Sequence, residues 1–305
     1  MEQVETCTGF RSGFVALTGR PNAGKSTLVN AVVGKKVSIV SNTPQTTRHR
    51  FRAVVTTDDY QLILVDTPGI HKPMDILGEE LNRTAIKALE SVDAISYVLD
   101  ATKPFGSGDE WVLKMIKDIK VPRILVVSKS DLSFEKKVQE QINSATTVSS
   151  FDDVVVISAL KGHNIPAFVE LASKYLPLGP RWFPPDTDTD QPLELIISEF
   201  IREKVLTSTF DELPHAVGLI VEELSFDEAK NLYRISAEIY VERQSQKGII
   251  IGAGGEKIKQ IGTEARIDLE HFLGARVFLD LRVKLRKGWR RDLSQIRRFG
   301  YGEGV

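Results

Sequence analysis

Short apolar runs alternate with segments of helical periodicity over the first 176 residues. The runs are rich in Val, Ile and Leu and lack regular polar alternation, as expected for strands buried on both faces. They read FVALT, YQLILVD, AISYVLD, RILVVS and VVVIS. Because parallel strands need long crossover connections, buried strands separated by helices indicate a mostly parallel sheet. The sequence therefore predicts an α/β domain over residues 1–176.

The pattern changes after a proline-rich stretch. Residues 177–192 contain five prolines and an Asp/Thr run, which predicts a linker. Helical spacing follows at 193–204, two strands are predicted near 217–224 and 232–241, a helix over 255–273 and a final strand over 277–285. Residues 193–305 are therefore expected to form a second, α+β domain with a basic C-terminal tail.

Composition is that of a globular chain from a reducing compartment. The 305 residues are 42% hydrophobic and 27% charged, and the single cysteine excludes an internal disulfide or a thiolate metal site. No apolar run reaches the roughly 18 residues of a spanning helix. The acidic start MEQVE also lacks the basic region of a secretory signal. We therefore expect a cytoplasmic protein.

Charge is distributed unevenly along the chain. Residues 241–305 contain 14 basic and 8 acidic residues, a net charge of +6, which leaves −7 for residues 1–240. A basic region attached to an acidic body is typical of nucleic-acid or anionic membrane binding. A solvated basic face without a partner is the alternative.

A phosphate-binding motif follows the first predicted strand. The segment GRPNAGKS, from Gly19 to Ser26, matches G-x-x-x-x-G-K-[ST] and precedes the helical segment KSTLVNAVV. Its backbone N–H groups would surround phosphates at a helix N-terminus. Lys25 would reach the β- and γ-phosphates, and the Ser26 hydroxyl would bind Mg²⁺. A glycine-rich helix cap is the alternative, which the following motifs disfavour.

Two further segments have the chemistry of a magnesium site. Asp66 ends the strand YQLILVD and begins D-T-P-G, so its carboxylate would hold Mg²⁺ through water while the Gly69 N–H meets the γ-phosphate. Thr46 and Thr47 lie between helix and strand, and we expect the Thr47 hydroxyl to complete the magnesium coordination. A plain turn is the alternative for D-T-P-G, and a polar loop for T-T-R.

Two segments after the last predicted strands carry candidate base-reading groups. SKSD, from Ser128 to Asp131, follows RILVV, and SAL, from Ser158 to Leu160, follows VVVI. The Asp131 carboxylate would accept hydrogen bonds from the N1–H and 2-amino groups of guanine, which adenine does not offer. The sequence therefore predicts a guanine-nucleotide site.

The ordered set GRPNAGKS, TTR, DTPG, SKSD and SAL resembles the G motifs of translation-factor-type bacterial GTPases. With the C-terminal unit described below, it is similar to the Era family over nearly the whole chain. The resemblance implies slow GTP hydrolysis with GTP, GDP and Mg²⁺ as ligands. The implied nucleotide-contacting residues are Gly19, Asn22, Ala23, Gly24, Lys25, Ser26, Thr27, Asp66, Gly69, Ser128, Lys129, Asp131, Ser158, Ala159 and Leu160. The implied catalytic residues are Lys25, Asn22, Thr47 and Gly69, and the magnesium ligands are Ser26, Thr47 and Asp66.

Two positions distinguish this chain from better-known GTPases. Ser128 replaces the Asn of the family motif N-K-x-D, which contacts the base and the phosphate loop, so we expect weaker guanine binding with specificity retained by Asp131. Ile70 stands where Ras-like enzymes have a water-orienting glutamine. The resemblance implies the subgroup with a hydrophobic residue there, in some members of which a loop Asn, here Asn22, pairs with K⁺. The alternative is that Asn22 only caps the turn.

A G-x-x-G motif divides the C-terminal helices. It lies within the order helix, strand, strand, helix, G-x-x-G, helix, strand, which resembles a type II KH domain. Such a loop contacts the backbone of about four single-stranded nucleotides, and a tight turn between helices is the alternative. The predicted RNA-binding residues are Lys247, Gly252, Ala253, Gly254, Gly255, Lys257 and Lys259. The expected extension of this basic surface is Arg282, Lys284, Arg286, Lys287, Arg290, Arg291, Arg297 and Arg298.

The resemblance implies a monomeric GTPase switch that binds small-subunit (16S) ribosomal RNA and acts in assembly of the small ribosomal subunit. The alternative is a peripheral GTPase whose basic C-terminal region contacts anionic lipid on the cytoplasmic face of the inner membrane. That role needs an amphipathic apolar face, of which residues 286–301 offer a limited one. A small-molecule kinase is disfavoured by DTPG and SKSD.

Overall fold

The computed structural model describes residues 9–40, 47–209 and 216–301. These residues separate into two compact units. The first consists of residues 9–38, 47–74 and 78–190, and the second of residues 191–209 and 216–301 together with 39–40 and 75–77.

The first unit is built on a six-stranded sheet. Its strands are β1 (Arg11–Thr18), β2 (Phe51–Thr56), β3 (Tyr60–Asp66), β4 (Ala94–Asp100), β5 (Arg123–Ser128) and β6 (Asp153–Val156). Its helices are α1 (Lys25–Val33), α2 (Ile76–Leu89), α3 (Ser107–Met115), α4 (Glu135–Val148) and α5 (Ile165–Lys174). The strand order is β2-β3-β1-β4-β5-β6, and only the β2–β3 pair is antiparallel. The predicted α/β fold with a mostly parallel sheet is confirmed.

Both faces of the sheet are buried. Along β1, Val15 and Leu17 belong to one hydrophobic core and Ala16 to the other. A strand whose two faces are both buried is apolar at nearly every position, so it appears in the sequence as a continuous apolar run. Strands β1, β3, β4 and β5 are parallel, so the loops that follow them all lie at one edge of the sheet.

The list of strands predicted from apolar runs does not include β2. This strand lies at the edge of the sheet, and Arg52, Val55 and Thr56 are only half-buried. A partly exposed edge strand has no need of a continuous apolar run, so the pattern gave a weaker signal.

The proline-rich segment packs against the first unit. Gln61 on β3 is fully buried, and its Nε2 donates to the Phe183 carbonyl oxygen at 2.8 Å. Its Oε1 accepts the backbone N–H groups of Trp182 and Phe183 at 2.7 and 3.0 Å. Residues 177–190, part of the segment predicted to be a linker, are grouped with this unit.

Residues 182–190, here called the edge-covering segment, continue alongside β2. The Val54 N–H donates to the Asp188 carbonyl oxygen at 2.8 Å, and residues 53 and 189 form an antiparallel bridge. The Arg52 and Asp190 side chains form an ion pair at 2.7 Å, and Lys35 pairs with Asp188. The edge of β2 is therefore occupied by backbone and charged side chains of the same unit.

The second unit is α+β. Its elements are α6 (Leu193–Thr207), β7 (Gly218–Asp227), β8 (Leu232–Val241), α7 (Gln244–Ile251), α8 (Glu256–Leu273), β9 (Arg276–Leu285) and α9 (Leu293–Arg298). The sheet order is β7-β8-β9, with an antiparallel first pair and a parallel second pair. Buried residues of α6, α7 and α8 share one core with this sheet. The predicted element order is confirmed.

The C-terminal region 286–301 packs against the rest of the second unit. Trp289 is fully buried, and its Nε1 donates to the Ala216 carbonyl oxygen at 3.0 Å. The Phe299 and Tyr240 rings pack edge to face with their centroids 5.2 Å apart, and the Tyr301 side chain is 1% exposed. The large aromatic side chains of this region are therefore used in packing. None of the helices in the described ranges has the length and apolar character to cross a membrane.

Candidate functional site

The phosphate-binding loop connects β1 to α1 at the edge where the parallel strands end. Gly24 has φ 98° and forms the N-cap of α1, whose first turn contains Lys25, Ser26 and Thr27. Backbone N–H groups at such a helix start point toward a bound anion. The loop therefore combines an anion-binding helix N-terminus with the lysine and hydroxyl side chains predicted for a phosphate and magnesium site.

Lys25 and Asp66 form a buried pair of opposite charge. The Lys25 Nζ donates to the carbonyl oxygens of Gly19 and Arg20 at 3.3 and 3.1 Å. Burial lowers the pKa of Lys25 to about 8, and the Asp66 charge opposes that shift. Burial likewise raises the pKa of Asp66, with Lys25 and hydrogen bonds opposing. Both ions are therefore poorly solvated, so a phosphate beside the lysine and a cation beside the carboxylate would stabilise them.

An oxygen cluster surrounds Asp66. The Ser26 Oγ donates to the Asp66 Oδ2 at 2.7 Å and lies 2.8 Å from the Thr47 Oγ1. The Asp66 Oδ1 is buried and accepts no hydrogen bond within the described part of the chain. A buried carboxylate oxygen in need of a partner, beside two hydroxyls, suits a hard cation such as Mg²⁺. Ser26, Thr47 and Asp66 therefore fit a magnesium ion. Thr46, the other threonine of the T-T-R segment, lies outside the described residues.

Gly69 approaches the phosphate-binding loop closely. A Cβ at Gly69 would lie 2.9 Å from the Cα of Pro21, so only glycine fits at this position. The preceding Thr67 Oγ1 donates to the Leu17 carbonyl oxygen at 2.8 Å, which ties the D-T-P-G loop to β1. The Ile70 side chain is 1% exposed and packs in the hydrophobic core.

Ser128 keeps a contact with the phosphate-binding loop. Its Oγ lies 2.5 Å from the Ala23 carbonyl oxygen and 3.2 Å from that of Leu99. The family asparagine that Ser128 replaces contacts both the base and this loop, and weaker guanine binding is the expectation from the sequence. The short hydroxyl still reaches the loop, because Ser128 ends β5 directly beside Ala23.

Lys129 connects the base-reading segment to the same loop. Its Nζ donates to the Asn22 carbonyl oxygen at 2.8 Å and to the Asp100 Oδ2 at 2.7 Å. Burial disfavours the Asp100 carboxylate, but hydrogen bonds from Lys129 and Thr102 outweigh it and lower the pKa of Asp100. Asp100 was not predicted as a site residue, although an acidic residue at the end of the apolar run AISYVLD is a usable signal.

The Asp131 carboxylate is oriented by the next loop. The buried Ser158 Oγ donates to the Asp131 Oδ1 at 2.6 Å. Ala159 and Leu160 complete this loop, and the Leu160 side chain is exposed. The fold therefore brings the two predicted base-reading segments together, and one hydrogen bond restricts the carboxylate that is predicted to contact guanine.

The G-x-x-G loop joins α7 to α8. Gly252 has φ 74°, and a Cβ there would lie 2.7 Å from the Cβ of Lys257, so glycine is required. Ala253 and Gly254 are exposed, and a Cβ at Gly254 would meet no atom within 4 Å. Gly255 forms the N-cap of α8.

Basic residues flank this loop, but the wider basic surface is partly neutralised. Lys247 lies half-buried on α7, and Lys257 and Lys259 lie in the first turns of α8. Four of the predicted surface cations form ion pairs with carboxylates of the same unit, namely Arg282 with Asp280, Lys284 with Glu238, Arg290 with Glu242 and Arg298 with Glu222. The net charge of this surface is therefore smaller than a count of its cations suggests.

Comparison with known proteins gives matches to both units. A family model described as a 50S ribosome-binding GTPase matches residues 14–129, and one described as a KH domain matches residues 212–290. Aquifex aeolicus Era, solved as a variant bound to GDP.AlF4⁻, has 39% sequence identity and a TM-score of 0.92, over 96% of this chain and 100% of that chain. Era solved with MgGDPNP and nucleotides 1506–1542 of 16S ribosomal RNA has the same identity and TM-score, over 96% and 99%.

These similarities extend over both units and their order along the chain. A P-loop GTPase domain with a mostly parallel sheet comes first, and an α+β KH domain follows. The chain belongs to the Era family of GTPases.

Proposed function

We propose that this protein binds GTP and GDP and hydrolyses GTP to GDP and phosphate. The observation that carries the proposal is the meeting of three groups at one sheet edge: the phosphate-binding loop, the oxygen cluster of Ser26, Thr47 and Asp66, and the oriented carboxylate of Asp131. Family membership and the nucleotides in the solved relatives support the same ligands.

Each group has a distinct task in this proposal. Lys25 neutralises charge on the β- and γ-phosphates, the Gly69 N–H orients the γ-phosphate, and Asp131 accepts hydrogen bonds from guanine. Magnesium would be held by Ser26 and Thr47, and by Asp66 through water, and when bound it supplies further charge neutralisation at the phosphates.

Phosphate release and nucleotide competition test this function directly. We expect GTP-dependent phosphate release without any acceptor substrate, which also separates a GTPase from a small-molecule kinase. GTP should displace a fluorescent GDP analogue, whereas ATP should not. Equal displacement by ATP and GTP would contradict guanine specificity.

Intrinsic hydrolysis is expected to be slow, because the apolar Ile70 side chain is buried and has no atom that orients water. We propose that Asn22 helps to hold K⁺ near the phosphates. Asn22 has φ 63°, a left-handed conformation that asparagine tolerates, so a purely conformational role remains the competing explanation. Turnover should be faster in potassium than in sodium chloride of equal ionic strength. Equal rates would remove the cation and leave the GTPase proposal intact.

We further propose that the KH domain binds small-subunit ribosomal RNA and that the protein acts, as a monomer in the cytoplasm, on the small ribosomal subunit. The G-x-x-G loop with its flanking lysines and the 16S ribosomal RNA in a solved relative support this partner. Filter binding should give higher affinity for single-stranded RNA than for duplex RNA.

The alternative of membrane binding by the C-terminal region has no support, since the Trp289 and Tyr301 side chains are buried. Liposome co-sedimentation is expected to give no binding.

A further inference from the structure

Asn82 on α2 hydrogen-bonds the loop that contains the D-T-P-G motif. Its Nδ2 donates to the His71 carbonyl oxygen at 2.6 Å, and its Oδ1 accepts the His71 backbone N–H at 3.3 Å. One planar amide therefore pairs with both backbone groups of a single residue. Asparagine carries the required donor and acceptor on separate atoms of one short, planar group.

His71 in turn restricts Gly69. The His71 Nδ1 lies 3.0 Å from the Gly69 carbonyl oxygen. Between them, Ile70 is 1% exposed and belongs to the same core as Ala85 of α2. On its other side, Gly69 lies against Pro21 of the phosphate-binding loop. Gly69 is therefore held between the phosphate-binding loop and the His71 backbone that Asn82 contacts.

Asn82 lies in a buried part of α2, and the loop that it contacts has no regular secondary structure. Asn82 is 7% exposed, and its neighbour Leu81 is 1% exposed in the core. Residues 67–73 form neither helix nor strand, so the backbone of this loop lacks ladder hydrogen bonds. A backbone of that kind needs side-chain partners to hold one conformation.

We infer that Asn82 is a positioning residue that sets the Gly69 N–H for its contact with the γ-phosphate. This inference rests on the proposed function. It makes Asn82 one of the residues that favour the binding of GTP over GDP. Because GDP has no γ-phosphate, the position of Gly69 matters for GTP binding and hydrolysis. Loss of the Asn82 amide releases the loop and lowers triphosphate affinity and kcat, while GDP affinity is retained.

Two variants test this role in the full-length protein. Asn82→Ala removes both hydrogen bonds, whereas Asn82→Asp keeps the acceptor and the size but places a carboxylate against the His71 carbonyl oxygen. For each we would measure Kd for GDPNP and for GDP, kcat for GTP and thermal stability. The matched control is Asn143→Ala, which removes an exposed asparagine of α4.

The expected result is a roughly tenfold loss of GDPNP affinity, the size expected when the one hydrogen bond from the Gly69 N–H to the γ-phosphate is lost. GDP affinity should stay within twofold of the parent. The kcat should fall by a similar factor, and the control should match the parent. Equal losses for GDPNP and GDP, loss of GDP binding in both variants, or no loss at all would overturn the inference, because each removes the selectivity for the γ-phosphate. Failure of the parent to bind either nucleotide would instead contradict the proposed function.

Discussion

The phosphate-binding loop and the G-x-x-G loop are alike in local structure and opposite in surroundings. Each precedes a helix, and each ends in a left-handed glycine that forms the N-cap, Gly24 in the first unit and Gly255 in the second. The first loop is contacted from several directions, by Lys25, Ser128 and Lys129 and by the close approach of Gly69. The second is open to solvent at Gly254.

The difference follows from what each loop is proposed to hold. A nucleotide with its cation has a fixed geometry, so a loop held rigid before binding loses little entropy when the ligand arrives. A nucleic-acid backbone varies in conformation, and an exposed glycine loop lets it approach without demanding one geometry. Substitutions in the two loops should therefore differ in size and in the ligand affected.

Lys25→Ala should have the largest effect. It removes a buried cation that is aimed at phosphates, and truncating one partner of such a pair costs about 2 to 5 kcal/mol. GDP affinity should therefore fall by roughly 30-fold or more, measured with a fluorescent GDP analogue. RNA affinity should be unchanged. The control is Lys174→Ala, an exposed lysine at the end of α5, and retention of GDP affinity in Lys25→Ala would contradict the assigned phosphate site.

Gly254→Asp should weaken RNA binding and leave GDP binding intact. Two like charges about 5 Å apart repel by about 1 to 3 kcal/mol at the dielectrics of water and of a protein surface. Filter binding of single-stranded RNA at two salt concentrations measures the loss.

Gly254→Asn is the matched control, because asparagine has the size of aspartate and tolerates the φ of 59° at this position but adds no charge. It should retain most of the affinity lost in Gly254→Asp. If Gly254→Asp folds normally and binds RNA like the parent, the loop is not the contact and the C-terminal arginines become the better candidates.

Asp131→Asn should change base preference more than total affinity. The substituted amide donates toward the C2 carbonyl of xanthine, whereas guanine loses charge-assisted hydrogen bonds of about 1.5 to 3 kcal/mol. Competition between GDP and XDP for the labelled nucleotide measures the switch. An unchanged ratio of the two affinities would remove Asp131 from the base site.

Ser128→Asn should have the smallest effect, a gain of about 1 kcal/mol for one added hydrogen bond to the base. Ser128→Ala separates the loop contact from the base contact, because it removes only the hydroxyl that reaches Ala23. That variant should weaken GDP binding by a comparable amount. If Ser128→Ala binds GDP like the parent, the contact with the phosphate-binding loop contributes nothing measurable.

The sequence predicted what depends on consecutive residues and periodicity. The phosphate-binding motif from Gly19 to Ser26 lies within one stretch, and buried strands produce recognisable apolar runs. The contacts of Gln61, Asn82 and Asp100 were not predicted, because each joins residues that only the fold brings together: Gln61 with Phe183, Asn82 with His71 and Asp100 with Lys129. A single polar side chain in a strand or helix gives no sign of its partner.

The edge-covering segment has a consequence for solubility. A bare edge strand offers free backbone donors and acceptors to a strand of another molecule and so promotes aggregation. Here the Val54 N–H is already bonded to the Asp188 carbonyl oxygen. The segment also contains two consecutive prolines, which lack backbone donors, and three aspartates, whose charges repel the same segment of another molecule. A truncated protein that ends before residue 182 would expose the edge of β2. It should precipitate at concentrations at which the full-length protein stays in solution.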